Sequence, residues 1–182
     1  MSRNYKFGDQ DRLHFVTFTV IEWIDALTRP EYKDIIVDSI NYCIRHKGLE
    51  VYAWCIMSNH VHMIIGTTDQ PMEGILRDLK RHTAKEILKA IENNPYESRK
   101  RWLLFLFAKA GERNNKNKKY QFWQHHNHPI ELSDNHMMDQ RLDYIHQNPV
   151  TAGYVLEPEH YPYSSAMDYV GGKGLVPVIF IE

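Results

Sequence analysis

Two short stretches of this 182-residue chain carry side chains whose type and spacing could do chemistry. The first is His60-Val61-His62. On a strand, residues i and i+2 face the same side. The two imidazoles would then stand together and could chelate a divalent ion while Val61 turns to the core. The flanks, Ala53-Trp-Cys-Ile-Met57 and Met63-Ile-Ile65, are strongly apolar, and a polar pair between core strands needs partners or a ligand. For an isolated His-x-His, two solvent-facing histidines are the simpler alternative. The second stretch is Asp143-Tyr-Ile-His-Gln-Asn-Pro-Val150. Tyr144 and Asn148 are four apart and share a face if the segment is helical. A phenol can be a nucleophile and an amide oxygen a metal ligand. A packing tyrosine followed by an Asn-Pro helix stop is the simpler reading of those residues alone.

Other features are weaker. His125, His126 and His128 fall within four residues. Three histidines so close on a strand cannot face one side, so they read as a solvated or DNA-facing edge, with His128 at most a neighbour of an active site. His146 lies about 200° around a helix from Tyr144 and reads as non-catalytic. Cys43 and Cys55 cannot build a disulfide framework and point to a reducing, cytoplasmic setting. No apolar run approaches the ~18 residues of a membrane span, and no apolar stretch follows the first residues as in a signal peptide. The expectation is a cytoplasmic protein without membrane association.

Formal charge is −1, from 22 Lys+Arg against 23 Asp+Glu. That neutrality is a cancellation. Residues 77–119 hold thirteen Lys/Arg against five Asp/Glu, a net +8, and the remainder carries −9. Within the basic segment Arg77, Lys80, Arg81 and Lys85 recur at helical spacing, and Arg99, Lys100 and Arg101 follow. Interleaved with Tyr96, Trp102 and Phe105, these side chains permit phosphate tracking with base stacking. A solvated helix face is the plainer alternative.

The elements that must position these residues are readable in outline. Residues 12–20 are β-branched and aromatic and predict a strand. Pro30 opens a helix carrying Ile35, Ile36, Ile40 and Ile44, which Gly48 stops. Residues 49–57 and 60–66 predict two strands joined as a hairpin through Ser58-Asn59. Pro71 opens a second helix. A fourth strand is expected at 120–123, continuing toward Leu132, and Ser133 or Asp134 caps a helix over 133–148 that Pro149 closes. The order strand–helix–strand–strand–helix–strand is the split β-α-β pattern. The expectation is one α+β, ferredoxin-like domain over 1–182: an antiparallel sheet with helices on one face, an added C-terminal helix, and a tail over 158–182.

The stretches together resemble the single-tyrosine HUH transposases, and more closely the REP-associated tyrosine transposases of the insertion-sequence 200-like group. The resemblance rests on Trp54-Cys-Ile-Met-Ser-Asn-His-Val-His-Met-Ile-Ile65, Phe122-Trp-Gln, Asn127-His-Pro-Ile-Glu-Leu132, Leu142-Asp-Tyr-Ile-His-Gln-Asn-Pro-Val-Thr-Ala-Gly-Tyr-Val155 and Tyr161-Pro-Tyr-Ser-Ser-Ala166. Their order and spacing are specific where each alone is weak. The resemblance implies metal-dependent cleavage and joining of single-stranded DNA bearing a hairpin or palindromic repeat. It makes His60 and His62 the paired metal ligands, Asn148 the third and Tyr144 the nucleophile of a 5′-phosphotyrosine intermediate. Many insertion-sequence members carry Gln at the third ligand position, and Asn is the choice of the REP-associated branch. With one helix tyrosine in the motif, a two-tyrosine relaxase mechanism is not supported. Imidazole softness favours Mn²⁺ or Zn²⁺, whereas the resemblance implies Mg²⁺ or Mn²⁺. Relatives differ in how their sites are assembled, which leaves a monomer or a homodimer open. Two other functions stay in contention: a nucleic-acid-binding module without catalysis, and a small-molecule metallohydrolase using the histidines alone.

Overall fold

A computed structural model describes residues 12–68, 70–113, 119–125, 127 and 129–181. The chain begins with β1 (His14–Thr19), whose alternation sends Val16 and Phe18 to one face and Phe15, Thr17 and Thr19 to the other. Helix α1 (Pro30–Lys47) starts on proline and ends at Gly48. Gly48 takes φ 69°, a left-handed cap that L-residues resist, and its N–H closes on the Cys43 carbonyl. The hairpin β2 (Leu49–Ile56) and β3 (His60–Thr67) follows, then α2 (Met72–Asn93) and α3 (Lys100–Glu112). A two-residue β4 (Ile130–Glu131), α4 (Asn135–Thr151) and a one-turn α5 (Ala166–Tyr169) complete the order.

The sheet is antiparallel with strand order β2-β3-β1-β4, the ferredoxin-like arrangement the sequence pattern predicts. Two apolar layers result. Val16, Phe18, Trp54, Ile56, Val61, Met63 and Ile65 pack under α1 and α2. Phe15, Ala53, Cys55, Ile64 and Ile145 form a smaller layer under α4. A bulge between Val51 and Ala53 shifts the β2 register, so that Val51 and Trp54 share a face although three apart.

Two expectations are corrected. The fourth strand is not residues 120–123: Trp123 makes a single bridge to Val20, and the ladder to β1 runs only through Ile130 and Glu131. Phe122 and Trp123 are both buried in succession, which a pleated strand with one core face cannot do, and Pro129 has no N–H to give a ladder. Nor does Pro149 close the helix that carries Tyr144. Helix α4 continues through it to Thr151, because Pro149 is itself buried in the final turn and costs only the bond back to Ile145. The stop comes at Gly153, φ 75°, with the Tyr154 N–H on the Pro149 carbonyl.

The tail lies along β2, the outer strand. Tyr163 accepts from the Ile56 N–H, Ser165 donates to the Trp54 carbonyl and Ile179 to the Val51 carbonyl. An edge that would otherwise present unpaired backbone is thereby covered. No helix among the described residues is long and apolar enough to cross a membrane.

Candidate functional site

His60 and His62 begin β3 and, two apart, turn to the α4 side of the sheet. Their ring centroids are 4.6 Å apart. His62 is buried, stacked on Phe15 at 5.3 Å, and its Nδ1 is 2.9 Å from Thr17 Oγ1 on the paired strand. Its Nε2 is buried without a hydrogen-bond partner, which is costly for a polar atom unless a ligand completes it. His60 Nδ1 lies 2.6 Å from Asn59 Oδ1. The Asn59 Nδ2 donates to Asp25 Oδ1 at 3.0 Å and to the Trp23 carbonyl at 3.2 Å. With its amide so fixed, Asn59 must accept from His60, so Nδ1 carries the proton and Nε2 keeps its lone pair.

Helix α4 delivers the other two residues. Asp134 caps it by accepting from the Met137 N–H, and Ile145 and Pro149 anchor its inner face. Tyr144 is 45% exposed, with its ring 5.1 Å from that of His62 and edge-on to Phe15 at 6.1 Å. One turn on, the Asn148 side chain comes within reach of the His60 ring and favours its protonated form. Continuity of α4 through Pro149 keeps that i, i+4 pair on one face.

Burial lowers the proton affinity of both histidines. His62 is pushed down to about 3, first by desolvation and then by the neighbouring His60 and Arg141. His60 is lowered chiefly by burial, with Asn148 and Asp25 acting the other way. Both are therefore neutral near pH 7, the form that binds a metal. Among the described residues no cluster of three His, Cys, Asp or Glu side chains forms. Two imidazoles and an amide could hold a divalent cation and leave positions for other oxygen ligands.

The basic residues lie elsewhere. Arg77, Arg81 and Lys85 are exposed on α2, on the opposite side of the sheet from the histidines. Lys80 is a correction to the expected stripe. It turns inward, donating to the Gln124 carbonyl and Asn127 Oδ1 at 2.6 Å each, and desolvation lowers it to about 8. Arg99 is a second correction: it binds buried Glu97, the Asp25 carbonyl and Thr28 Oγ1. With Arg29, also on Glu97, it ties the loop after β1 to the start of α3. Lys100 is half-buried and Arg101 exposed. His126 and His128 lie outside the described residues. His146 points away from Tyr144, with Nε2 2.9 Å from Ser165 Oγ, and so docks α4 to the tail.

Sequence reasoning missed Asn59, Asp25, Thr17, Phe15 and Trp23. Asn59 sits directly before His60 and was visible as a hairpin residue. The other contacts depend on strand register and loop path, which spacing does not encode. Glu22 and Trp23 both take positive φ, 52° and 56°, an unusual pair for non-glycine residues. That turn leaves Trp23 58% exposed with its ring 5.6 Å from His60.

The sequence matches the family of IS200-like transposases over residues 12–109. The chain belongs to that family. The matched region includes His60 and His62 but ends before Tyr144 and Asn148, which folding brings to them. Among solved structures, this transposase-family chain is similar to a REP-associated tyrosine transposase bound to a REP hairpin. The TM-score is 0.68 at 18% identity, covering 100% of this chain and 92% of the other. A candidate transposase from Deinococcus radiodurans also aligns, with TM-score 0.44, 17% identity and coverage of 80% and 94%. No curated protein matches the sequence significantly.

Proposed function

We propose that this transposase-family chain nicks and rejoins single-stranded DNA beside a hairpin, with Tyr144 as nucleophile and His60, His62 and Asn148 as ligands of Mg²⁺ or Mn²⁺. The observation that carries this reading is convergence: the His60 and His62 rings, with centroids 4.6 Å apart, are met at 5.1 Å from His62 by the ring of Tyr144, eighty-two residues further along the chain. The orphan Nε2 of His62 supports the metal, and the hairpin bound by the similar REP-associated transposase supports the DNA partner. A bound divalent ion would polarise the scissile phosphate and stabilise charge on the leaving oxygen.

The chain's own residues do the rest. Tyr144, exposed at the edge of the site, can reach a phosphorus from solvent. Its Oη forms a bond to phosphorus as the phosphorus–O3′ bond breaks; the phenol loses a proton and the released 3′ oxygen gains one. The covalent 5′-phosphotyrosine keeps the phosphodiester energy, so attack by another 3′-hydroxyl reverses the step onto a new strand. Thr17 and Asn59 hold the two imidazoles in place. All four site residues come from one chain, so the reading requires no second copy.

The test is a covalent adduct. Wild-type protein incubated with Mn²⁺ and single-stranded DNA flanking its own gene should give a DNA–protein band on a denaturing gel. Tyr144→Phe should lose that band while its DNA affinity is unchanged. An adduct that persists in Tyr144→Phe places the nucleophile elsewhere. A non-catalytic DNA-binding module gives no adduct at all.

A further inference from the structure

The proposed ligands are two imidazoles and one amide, side chains that bring no negative charge of their own. No carboxylate joins the histidines in a metal-binding cluster among the described residues. A second cation nevertheless stands beside them. Arg141 lies three residues before Tyr144 on α4, which puts the two on neighbouring positions of one helix face. Its guanidinium is 5.0 Å from the centre of the Phe15 ring, the same ring that stacks on His62 and meets the edge of Tyr144. No ion pair holds Arg141 among the described residues, whereas Arg29 and Arg99 share buried Glu97. A guanidinium beside a site that is also to hold a divalent cation is repelled by it, unless an anion completes the arrangement. A phosphodiester is that anion, and the guanidinium fork matches two of its oxygens.

We propose that Arg141 binds the non-bridging oxygens of the phosphodiester that Tyr144 attacks, orienting it in the ground state and stabilising the charge that grows on it in the transition state. Arg141 keeps its protons throughout. The bond that forms is Tyr144 Oη to phosphorus and the bond that breaks is phosphorus to O3′. This inference rests on the nicking reading above. It adds a catalytic residue that the histidine and tyrosine motifs do not contain.

The experiment uses full-length protein and an oligonucleotide from the same flanking DNA, with the cut linkage mapped by the wild type. Two versions are compared in EDTA, one with the natural phosphodiester at that linkage and one with a neutral methylphosphonate. Tyr144→Phe, which binds without cutting, should prefer the phosphodiester about tenfold. Adding Arg141→Gln should remove that preference, and Arg141→Lys should keep part of it. In the presence of Mn²⁺, Arg141→Gln alone should slow adduct formation by about 10²–10³-fold, with an unchanged melting temperature. Arg141→Met is read in the same pair of oligonucleotides should Arg141→Gln melt early. Full retention of the phosphodiester preference in the Arg141 variants overturns the proposal. A wild type that forms no adduct overturns the nicking reading, and this inference falls with it.

Discussion

The imidazole of His60 is oriented by its neighbour in the chain, Asn59. Asn59 accepts from Nδ1, and Asp25 and the Trp23 carbonyl hold the Asn59 amide. Asp25 also accepts from Ser58, which in turn accepts from Tyr154 after α4. Asn59→Leu removes the acceptor while filling similar space, so His60 should lose its fixed tautomer. Mn²⁺ affinity by calorimetric titration should fall about 10–100-fold, with little change in the DNA affinity of a metal-free sample. Unchanged Mn²⁺ affinity would mean that Asn59 only shapes the turn. The His-x-His pair and the Tyr-x-x-x-Asn pair were legible in the sequence because both periods are set by backbone geometry. Thr17 was not, because its meeting with His62 depends on the β1–β3 register across forty-five residues.

At the scale of elements, the sheet order and the first three strands followed from alternation, Pro30 and Gly48. The failures came where tertiary packing overrode local chemistry. Phe122 and Trp123 are buried together, with the Trp123 indole donating to Thr83 on α2, and that contact replaces a strand. Pro149 reads as a stop, yet its buried ring lets α4 run on and keeps Asn148 helical. On α2 the spacing of Arg77, Lys80, Arg81 and Lys85 suggested one stripe, but the structure divides it. Arg77 and Arg81 flank Asp78, Lys85 extends into solvent, and Lys80 is spent on the 124–127 segment. If the exposed face tracks phosphates, Arg81→Ala and Lys85→Ala should each flatten the slope of log Kd against log salt by about 0.7–0.9. Lys80→Met should leave that slope alone and instead lower the urea midpoint, since two carbonyl acceptors lose their donor. Equal slopes for all variants would remove α2 from the DNA path.

Across the whole molecule, the sheet separates two kinds of surface. Helices α1 and α2 cover one side with charge outward, and α4 with the tail covers the other, where the histidines and Tyr144 meet. The tail has a structural part: it seals the β2 edge, and Ser165 joins Trp54 of β2 to His146 of α4. The seam fixes α4 against the sheet and so fixes Tyr144 against His62, and it has a pH limit. Burial pushes His146 down to about 4, so it stays neutral in the folded chain after the unfolded chain, with an ordinary value near 6.5, has taken up its proton. The unfolded state then binds more protons, and stability must fall as pH falls below about 6.5 and be fully present above it. For His146 the loss is about 2 kcal/mol between pH 6.5 and 4.5. His62, down to about 3, adds a loss of the same sign. Urea unfolding in EDTA across that range should therefore show stability dropping with acid. His146→Gln, which can still donate to Ser165 but cannot titrate, should make the drop shallower by about 2 kcal/mol. A slope identical to that of the wild type would mean that His146 is as free to protonate in the folded chain as in the unfolded one, and that the seam does not hold it.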